Sequence, residues 1–258
     1  MNRRTFGTII GGGIGYSLLP KVNAALPVYS RVAYTCDGNY HDKDDYGAAP
    51  MSVALLSDAG MGSKLVHFDI NSNMLSTNFS MEQQMRKSIF GNSTTQGAAQ
   101  RFNVPGRFYD DRPNPNMAVA NLNSEIMKST STNRLVICLG GPAEILYRAL
   151  QGVPNNIRQY VNVVSHSSSF NQNTGPHTFA QCTGIQKTFI PNQNTKLNTK
   201  QNWGPWSWLN NASKPNNKFL YDRMRASGRA DVSDSGMMYY VLYGNQTPTI
   251  TDYKNKLA

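Results

Sequence analysis

The chain has 258 residues, enough for one large α/β domain that buries a substantial core without help from disulfides. Hydrophobic residues make up 39% and aromatic residues 10% of the chain, which excludes an intrinsically disordered protein. The formal net charge of +10 is scattered, and the sequence has no nucleic-acid-binding motif. We therefore expect a soluble basic surface and no nucleic-acid partner.

The first 24 residues resemble an export signal. Arg3 and Arg4 precede a weakly apolar, glycine-rich stretch that ends in the small-residue cleavage site at 22–24 (Val-Asn-Ala). Paired arginines in this position are typical of a twin-arginine signal, and the apolar run is shorter than the ~20 residues of a spanning helix. The sequence predicts a signal peptide at 1–24 and a periplasmic or secreted mature chain with no stable membrane insertion. An uncleaved membrane anchor is the alternative.

In the mature chain, short apolar runs alternate with segments of helical spacing. The predicted strands are 31–36, 64–70, 103–109, 135–139 and 161–164, and the predicted helices are 46–59, 81–90, 117–127, 143–150, 219–226 and 236–242. This alternation predicts an α/β fold, a Rossmann-like open and mostly parallel sheet with helices on both faces. Between 171 and 217, Asn, Gln, Thr, Lys and Trp dominate. We expect this segment to be an elaborated surface insertion within a single domain of residues 25–258.

An acidic segment follows the first predicted strand. Asp37, Asp42, Asp44 and Asp45 lie within nine residues, and carboxylates this close repel one another unless a cation or a proton compensates them. Calcium prefers carboxylate, carbonyl and water oxygens as ligands. The segment therefore predicts a Ca²⁺ site beside a carboxylate that accepts a proton from water. A solvated acidic turn that caps the next helix is the alternative.

The chain has three cysteines, Cys36, Cys138 and Cys182. They are too few for a disulfide framework and their spacing gives no CxxC metal motif. We expect buried free thiols, with one disulfide as the alternative.

The order of several segments resembles the nucleoside hydrolase family. Asp37, Gly38, Asp44 and Asp45 resemble the aspartate-rich loop after that family's first strand, with a different spacing. The later segments LVHFDINSN, FNVPGRFYDD, LVICLGGPAEILYRAL, VNVVSHSSSFNQ and DVSDSGMMYYVL follow in the order of the family's motifs. The resemblance covers roughly 31–171 and 231–242. It implies a nucleoside-hydrolase-like version of the predicted fold.

The resemblance also implies a metal site. Asp37 would be both metal ligand and general base, although the altered spacing leaves Asp42 as a second candidate for the base. Asp45, Asp234 and the main-chain oxygen of Leu139 would be further ligands of the same Ca²⁺.

Substrate contacts follow from the same comparison. Asn71 or Asn73, together with Asn171, would bind substrate hydroxyls, and Asn39 in the acidic segment would be a further substrate contact. The family often has a histidine proton donor where this chain has Ser233, which leaves His41, His166 and His177 as candidates for the acid or for a substrate contact. Trp206, in the cluster WGPWSW, either stacks on a sugar or anchors the core.

These features predict a metal-dependent glycosidase that activates water for attack on an anomeric carbon. Its substrate would be a nucleoside (an N-riboside) or an extracellular saccharide with O-glycosidic bonds. A calcium-dependent carbohydrate-binding protein without catalysis is the alternative, since such a protein needs metal ligands but no proton acceptor. The sequence has no G-x-S-x-G motif of a serine hydrolase, and it leaves open whether the protein forms a homo-oligomer.

The export signal gives the first prediction. Mass spectrometry of the protein from its native host should show a mature N-terminus near Ala25, because cleavage follows the small residues at 22–24. An intact Met1 on a protein that stays inside the cell would refute the export prediction.

Overall fold

The structure is a computed structural model that describes residues 29–38, 43–72, 78–166 and 170–258. The predicted signal peptide at 1–24 lies outside this part of the chain. Six strands form the central sheet in the order β3-β2-β1-β4-β5-β6. They are β1 (Arg31–Cys36), β2 (Leu65–Ile70), β3 (Phe108–Asp110), β4 (Leu135–Gly140), β5 (Val161–Ser165) and β6 (Gln186–Phe189).

Every neighbouring pair of strands is parallel. This confirms the predicted Rossmann-like open sheet, which is parallel throughout rather than mostly so. The strand order reverses between β1 and β4, because the chain first adds strands on one side of β1 and then returns to its other side. The carboxyl ends of these two strands form the switch point where open α/β sheets hold their ligands.

Helices cover both faces of the sheet. They are α1 (Asp45–Asp58), α2 (Phe79–Ile89), α3 (Ala98–Arg101), α4 (Pro115–Met127), α5 (Glu144–Ala149), α6 (Asn155–Arg158), α7 (Phe170–Asn173), α8 (Asn194–Leu197), α9 (Pro215–Ser227), α10 (Ser235–Tyr243) and α11 (Ile250–Leu257). Short 3₁₀ turns span Gly62–Lys64, Phe179–Gln181 and Gly204–Leu209.

The alternation of side chains along β1 divides the core into two parts. Val32, Tyr34 and Cys36 pack on one face with α1, α9 and α10, whereas Ala33 packs on the other face with α4 and α5. Both faces are covered, so β1 and β4 are buried along their whole length. Continuous apolar sequence is what such strands require, and this is why their positions are predictable.

The segment 171–217 differs from the expected surface insertion. It supplies the edge strand β6 and several fully buried side chains, among them Phe179, Cys182 and Leu197. Trp206 is 0% exposed and packs against Trp208 and Tyr253, with ring centroids 6.3 and 5.9 Å away. The predicted sugar contact of Trp206 is therefore wrong in this structure, because no face of the indole is open to a ligand.

All three cysteines are buried and free, as expected. Within the described residues, no helix combines the length and the apolar character that a membrane span requires.

The position of Trp206 predicts that the Asn- and Trp-rich segment stabilises the whole domain. Trp206→Ala should lower the free energy of unfolding by about 3–5 kcal/mol, as for other buried aromatic residues. Phe189→Ala is the control in the same segment, because Phe189 is 58% exposed and its loss should cost far less. Equal midpoints of denaturant unfolding for the two variants would contradict a core role of Trp206.

Candidate active site at the carboxyl edge of the sheet

Three loops meet at the switch point, one after each of β1, β2 and β4. The Ser72 amide donates to the Cys36 carbonyl over 3.1 Å, which holds the loop after β2 against the end of β1. A Cβ atom on Gly141 would lie 2.7 Å from the Asp37 nitrogen and 2.8 Å from Ser72 Oγ. Only glycine allows this approach, so the Gly140-Gly141 turn brings the loop after β4 against Asp37.

Two carboxyl groups share one amide donor at the end of β1. Gly38 N donates to Asp37 Oδ1 over 3.0 Å and to Asp45 Oδ2 over 2.9 Å, with Gly38 in the left-handed region at φ 53°. Both side chains are buried, and their carboxyl groups are in contact. Such a contact is favourable only if a proton or a cation lies between the two groups.

A third carboxyl group comes from the C-terminal part of the chain. Asp234, just before α10, is buried, and its Oδ1 accepts a hydrogen bond from His166 Nε2. His166 lies directly after β5, and its Nδ1 accepts from the Gln193 amide over 3.3 Å. Because Nδ1 is an acceptor, the ring proton is on Nε2 and points at Asp234. His166 therefore orients Asp234, and neither ring nitrogen is open to a substrate.

Two of these carboxyl groups have an oxygen that lacks a donor. Among the described residues, Asp37 Oδ2 and Asp234 Oδ2 are buried and accept no hydrogen bond. Burying such oxygens is costly unless a partner is bound. Carboxylate oxygens of this kind fit a hard cation such as Ca²⁺. Leu139, whose main-chain oxygen is a predicted ligand, lies in β4 and pairs with Thr35 of β1. In the part of the chain that the structure describes, no group of three or more His, Cys, Asp or Glu side chains is arranged to hold a metal ion.

The carboxyl cluster changes the acidity of its members. The pKa of Asp37 is raised to about 7. Burial is the largest cause, and the charges of Asp234 and Asp44 add to it, against the lowering effects of hydrogen bonds with Asp45 and the Gly38 amide. Burial, together with the charge of Asp44, also raises the pKa of Asp231 to about 8. Perturbed carboxyl groups of this kind are concentrated at functional sites.

The loop after β2 adds polar atoms next to the carboxyl cluster. Asn71 is fully buried and has a positive φ of 61°, a conformation that is uncommon outside glycine. Its Nδ2 donates to Asp110 Oδ1 over 3.0 Å, and Asp110 in turn forms an ion pair with Arg86. Asn71 Oδ1 and Ser72 Oγ have no hydrogen-bond partner among the described residues. These two atoms suit the hydroxyl groups of a ligand, and the substrate role of Asn71 stays a prediction.

Several predicted residues are not described. Asn39, His41 and Asp42 lie in 39–42 and Asn73 lies in 73–77, outside the described residues, as does the side chain of Asn171. Asp42 therefore stays a candidate for the base, and His41 for the acid.

His177 lies beside the helix that follows β4. Its Nδ1 is 2.8 Å from Glu144 Oε2, and its ring stacks on Tyr147 with centroids 3.6 Å apart. Glu144 begins α5 directly after the carboxyl end of β4, so His177 lies at the same edge of the sheet as the carboxyl cluster. About one third of its side chain is exposed.

The sequence did not reveal a second buried acidic pair, Asp69 and Asp111. Asp69 Oδ2 contacts His67 Nε2 at 2.8 Å, and Asn121 Nδ2 lies 2.9 Å from His67 Nδ1. Burial and the charge of Asp69 raise the pKa of Asp111 well above its usual value. His67 and Asp69 alternate with apolar residues in β2, a spacing that places both on one face of the sheet. That spacing is the one sequence feature that indicates a polar cluster beside β2, but it does not identify Asp111 or Asn121 as its other members.

Comparison with known proteins gives little direct guidance to function. No family model matches the chain. The chain is similar to "Uncharacterized protein P22" of Formosa agariphila, with 27% identity over 235 residues that cover 84% of this chain and 85% of that protein. The similarity extends over nearly the whole of both proteins, but the description of the relative carries no activity.

The raised pKa of Asp37 predicts a pH-dependent effect of its removal. The metal-free folded protein should hold a proton on Asp37 up to about pH 7, whereas the unfolded chain loses it near pH 4. The folded state therefore binds the extra proton between these values, and stability falls as pH rises through this window. Asp37→Asn has no such charge to bury, so its stability relative to the natural protein should rise from pH 4 to pH 7, by at most about 4 kcal/mol.

Denaturant unfolding in the presence of a chelator measures this effect. Asp231→Asn is the matched variant, and its gain should continue to about pH 8, where Asp231 titrates. A stability difference between Asp37→Asn and the natural protein that is the same at pH 4.5 and pH 7.5 would contradict the pKa assigned to Asp37.

Proposed function

We propose that this protein is a hydrolase of glycosidic bonds whose water-activating group is Asp37. The observation that carries the proposal is the unpartnered, buried Oδ2 of Asp37 at the switch point, next to the carboxyl groups of Asp45 and Asp234. A buried carboxylate with a vacant acceptor position is suited to take a proton from a bound water. The order of the sequence segments that resemble nucleoside hydrolases supports the same reaction class.

The reaction needs a base and an acid. Asp37 takes one proton from water, the water oxygen forms a bond to the anomeric carbon, and the bond from that carbon to the leaving nitrogen or oxygen breaks. The leaving atom takes a proton from an acid, for which His41 and His177 stay the candidates from the sequence. The pKa of about 7 applies to Asp37 in the metal-free protein. A bound cation would lower it, so that Asp37 would be ionised and able to accept a proton near neutral pH.

A divalent cation is part of the proposal. Asp37, Asp45, Asp234 and the Leu139 carbonyl would hold Ca²⁺, and the ion would offset their charges and lower the pKa of a neighbouring water. The contact between the Asp37 and Asp45 carboxyl groups supports this, because a cation can replace the proton that the contact otherwise needs. His166 would keep Asp234 in position by its hydrogen bond to Oδ1, leaving Oδ2 for the ion.

The substrate class follows from the polar atoms beside Asp37. Asn71 Oδ1 accepts and Ser72 Oγ both donates and accepts hydrogen bonds, and both are buried without a partner in the described structure. A ribose or another sugar carries adjacent hydroxyl groups that satisfy this pair. We propose a nucleoside or a saccharide as substrate, and a periplasmic or secreted location for the mature enzyme.

Substitution of Asp37 tests the proposal. The mature protein with Ca²⁺ should release a base from nucleosides or a reducing sugar from one member of a glycan panel. Asp37→Asn should then lower kcat about 10²–10⁴-fold, because the amide cannot take a proton at neutral pH. Binding of the same substrate should persist, since Asn71 and Ser72 are unchanged.

Three further variants separate the roles. Asp45→Asn should mainly weaken Ca²⁺ binding, with partial recovery of activity at excess Ca²⁺, whereas Asp42→Asn shows whether Asp42 rather than Asp37 is the base. Asp58→Asn is the control, because Asp58 is at the opposite end of the helix that begins with Asp45.

Full turnover of a confirmed substrate by both Asp37→Asn and Asp42→Asn would rule out the mechanism. Saccharide binding that needs Ca²⁺, without hydrolysis of any bound saccharide, would favour the carbohydrate-binding alternative.

A further inference from the structure

A concave pocket lies between α2 and α9, apart from the carboxyl cluster. The pocket has a volume of about 610 Å³, within the range of roughly 300–1,000 Å³ that small-molecule sites occupy. Four of its lining residues are basic and one is acidic: Lys87, Arg101, Lys218 and Arg223 against Asp222. The acidic residue is already paired with Lys218 on the same helix. Three cationic side chains therefore face the pocket without an acidic partner among the described residues.

Arg223 is the buried member of this group. It is only 5% exposed, and its Nε donates to Ser88 Oγ over 2.9 Å while its Nη2 donates to Gln84 O and Oε1 over 2.8 and 3.0 Å. These neutral acceptors fix the guanidinium, and Arg223 forms no ion pair among the described residues, although the charge of Asp222 acts on it. Burial accordingly lowers the pKa of Arg223 to about 10. Buried charges normally have a counter-charge, and a bound anion would supply one for Arg223.

Arg101 and Phe219 form an adjacent wall of the pocket. The Arg101 guanidinium lies 4.7 Å from the centroid of the Phe219 ring, and its Nε donates to the Gln96 carbonyl over 2.8 Å. This holds the planar group in place, while its two terminal nitrogens have no partner within the described structure. Two guanidinium groups and the Lys87 ammonium in one cavity are the donors that bind oxyanions best.

We propose that this pocket binds the oxyanion group of a small anionic ligand, a sulfate, phosphate or carboxylate, with Arg223, Arg101 and Lys87 as its donors. The pocket shares no lining residue with the carboxyl cluster, whose negative charge would repel the same ligand. Under this proposal, three of the basic residues bind a ligand, whereas the sequence predicted only a generally basic surface.

Calorimetric titration of the mature protein tests this proposal. Sodium sulfate, phosphate and acetate are titrated separately, with sodium chloride keeping the ionic strength constant so that general screening does not contribute. We expect one saturable site for at least one anion, with a Kd of about 10 mM or lower. The order of affinities then distinguishes a sulfated, a phosphorylated and a carboxylated ligand.

Variants locate the site. Lys87→Gln and Arg101→Gln, both at partly exposed positions, should each weaken binding about 10-fold, because each loses a hydrogen bond between charged groups. Arg229→Gln is the matched control, since Arg229 lines a separate basic pocket of about 330 Å³ with Lys200, and it should leave the Kd unchanged. The proposal is overturned if no anion shows saturation, if binding survives both pocket variants, or if Arg229→Gln weakens it equally.

Discussion

The carboxyl groups of Asp37 and Asp45 contact each other where solvent does not reach, held by a single amide of Gly38. The fold places the two groups together, because Asp37 directly follows β1 and Asp45 begins α1. The repulsion must be offset by a proton or a cation. Two neighbouring features hold the carboxyl groups in position. The Gly140-Gly141 turn lets the loop after β4 approach Asp37, and the His166 side chain fixes Asp234. These contacts fix the positions of the carboxyl groups within the fold.

The sequence predicted the central strands well and the edge of the sheet poorly, for one physical reason. β1 and β4 are covered on both faces, so their sequences are uninterrupted apolar runs that have no other stable location. β6 lies at the edge and reads Gln-Lys-Thr-Phe, with exposed and half-buried positions, and such a strand depends on its neighbour β5 rather than on its own residues. Trp206 shows the same limit. A tryptophan in a polar segment suits a sugar or a core equally well, and only the packing of Trp208 and Tyr253 around it settles which.

Prediction of the site was limited by sequence distance. Asp37 and Asp45 were recognisable because they are close in the chain and follow a buried strand. Asp234 was assigned only through a family resemblance, and its hydrogen bond to His166 joins residues 68 positions apart. The role of His166 could not be read from its identity, because the tautomer is set by the Gln193 amide on its other nitrogen. Arg223, Arg101 and Lys87 come from three separate helices, so no local pattern marks the pocket that they line.

The two charged sites have opposite signs, yet they do not neutralise each other. A chain of two hydrogen bonds connects Arg223 to α1. The Ser88 hydroxyl accepts from Arg223 Nε and donates to the Tyr46 carbonyl over 2.8 Å. Tyr46 directly follows Asp45, so the link from the guanidinium towards the carboxyl cluster runs through a neutral hydroxyl and a neutral main-chain carbonyl. An ion pair across α1 would have satisfied both charges within the protein and left neither one for a ligand. Among the described residues the two sites form no ion pair with each other, so each charge is available to a counter-ion.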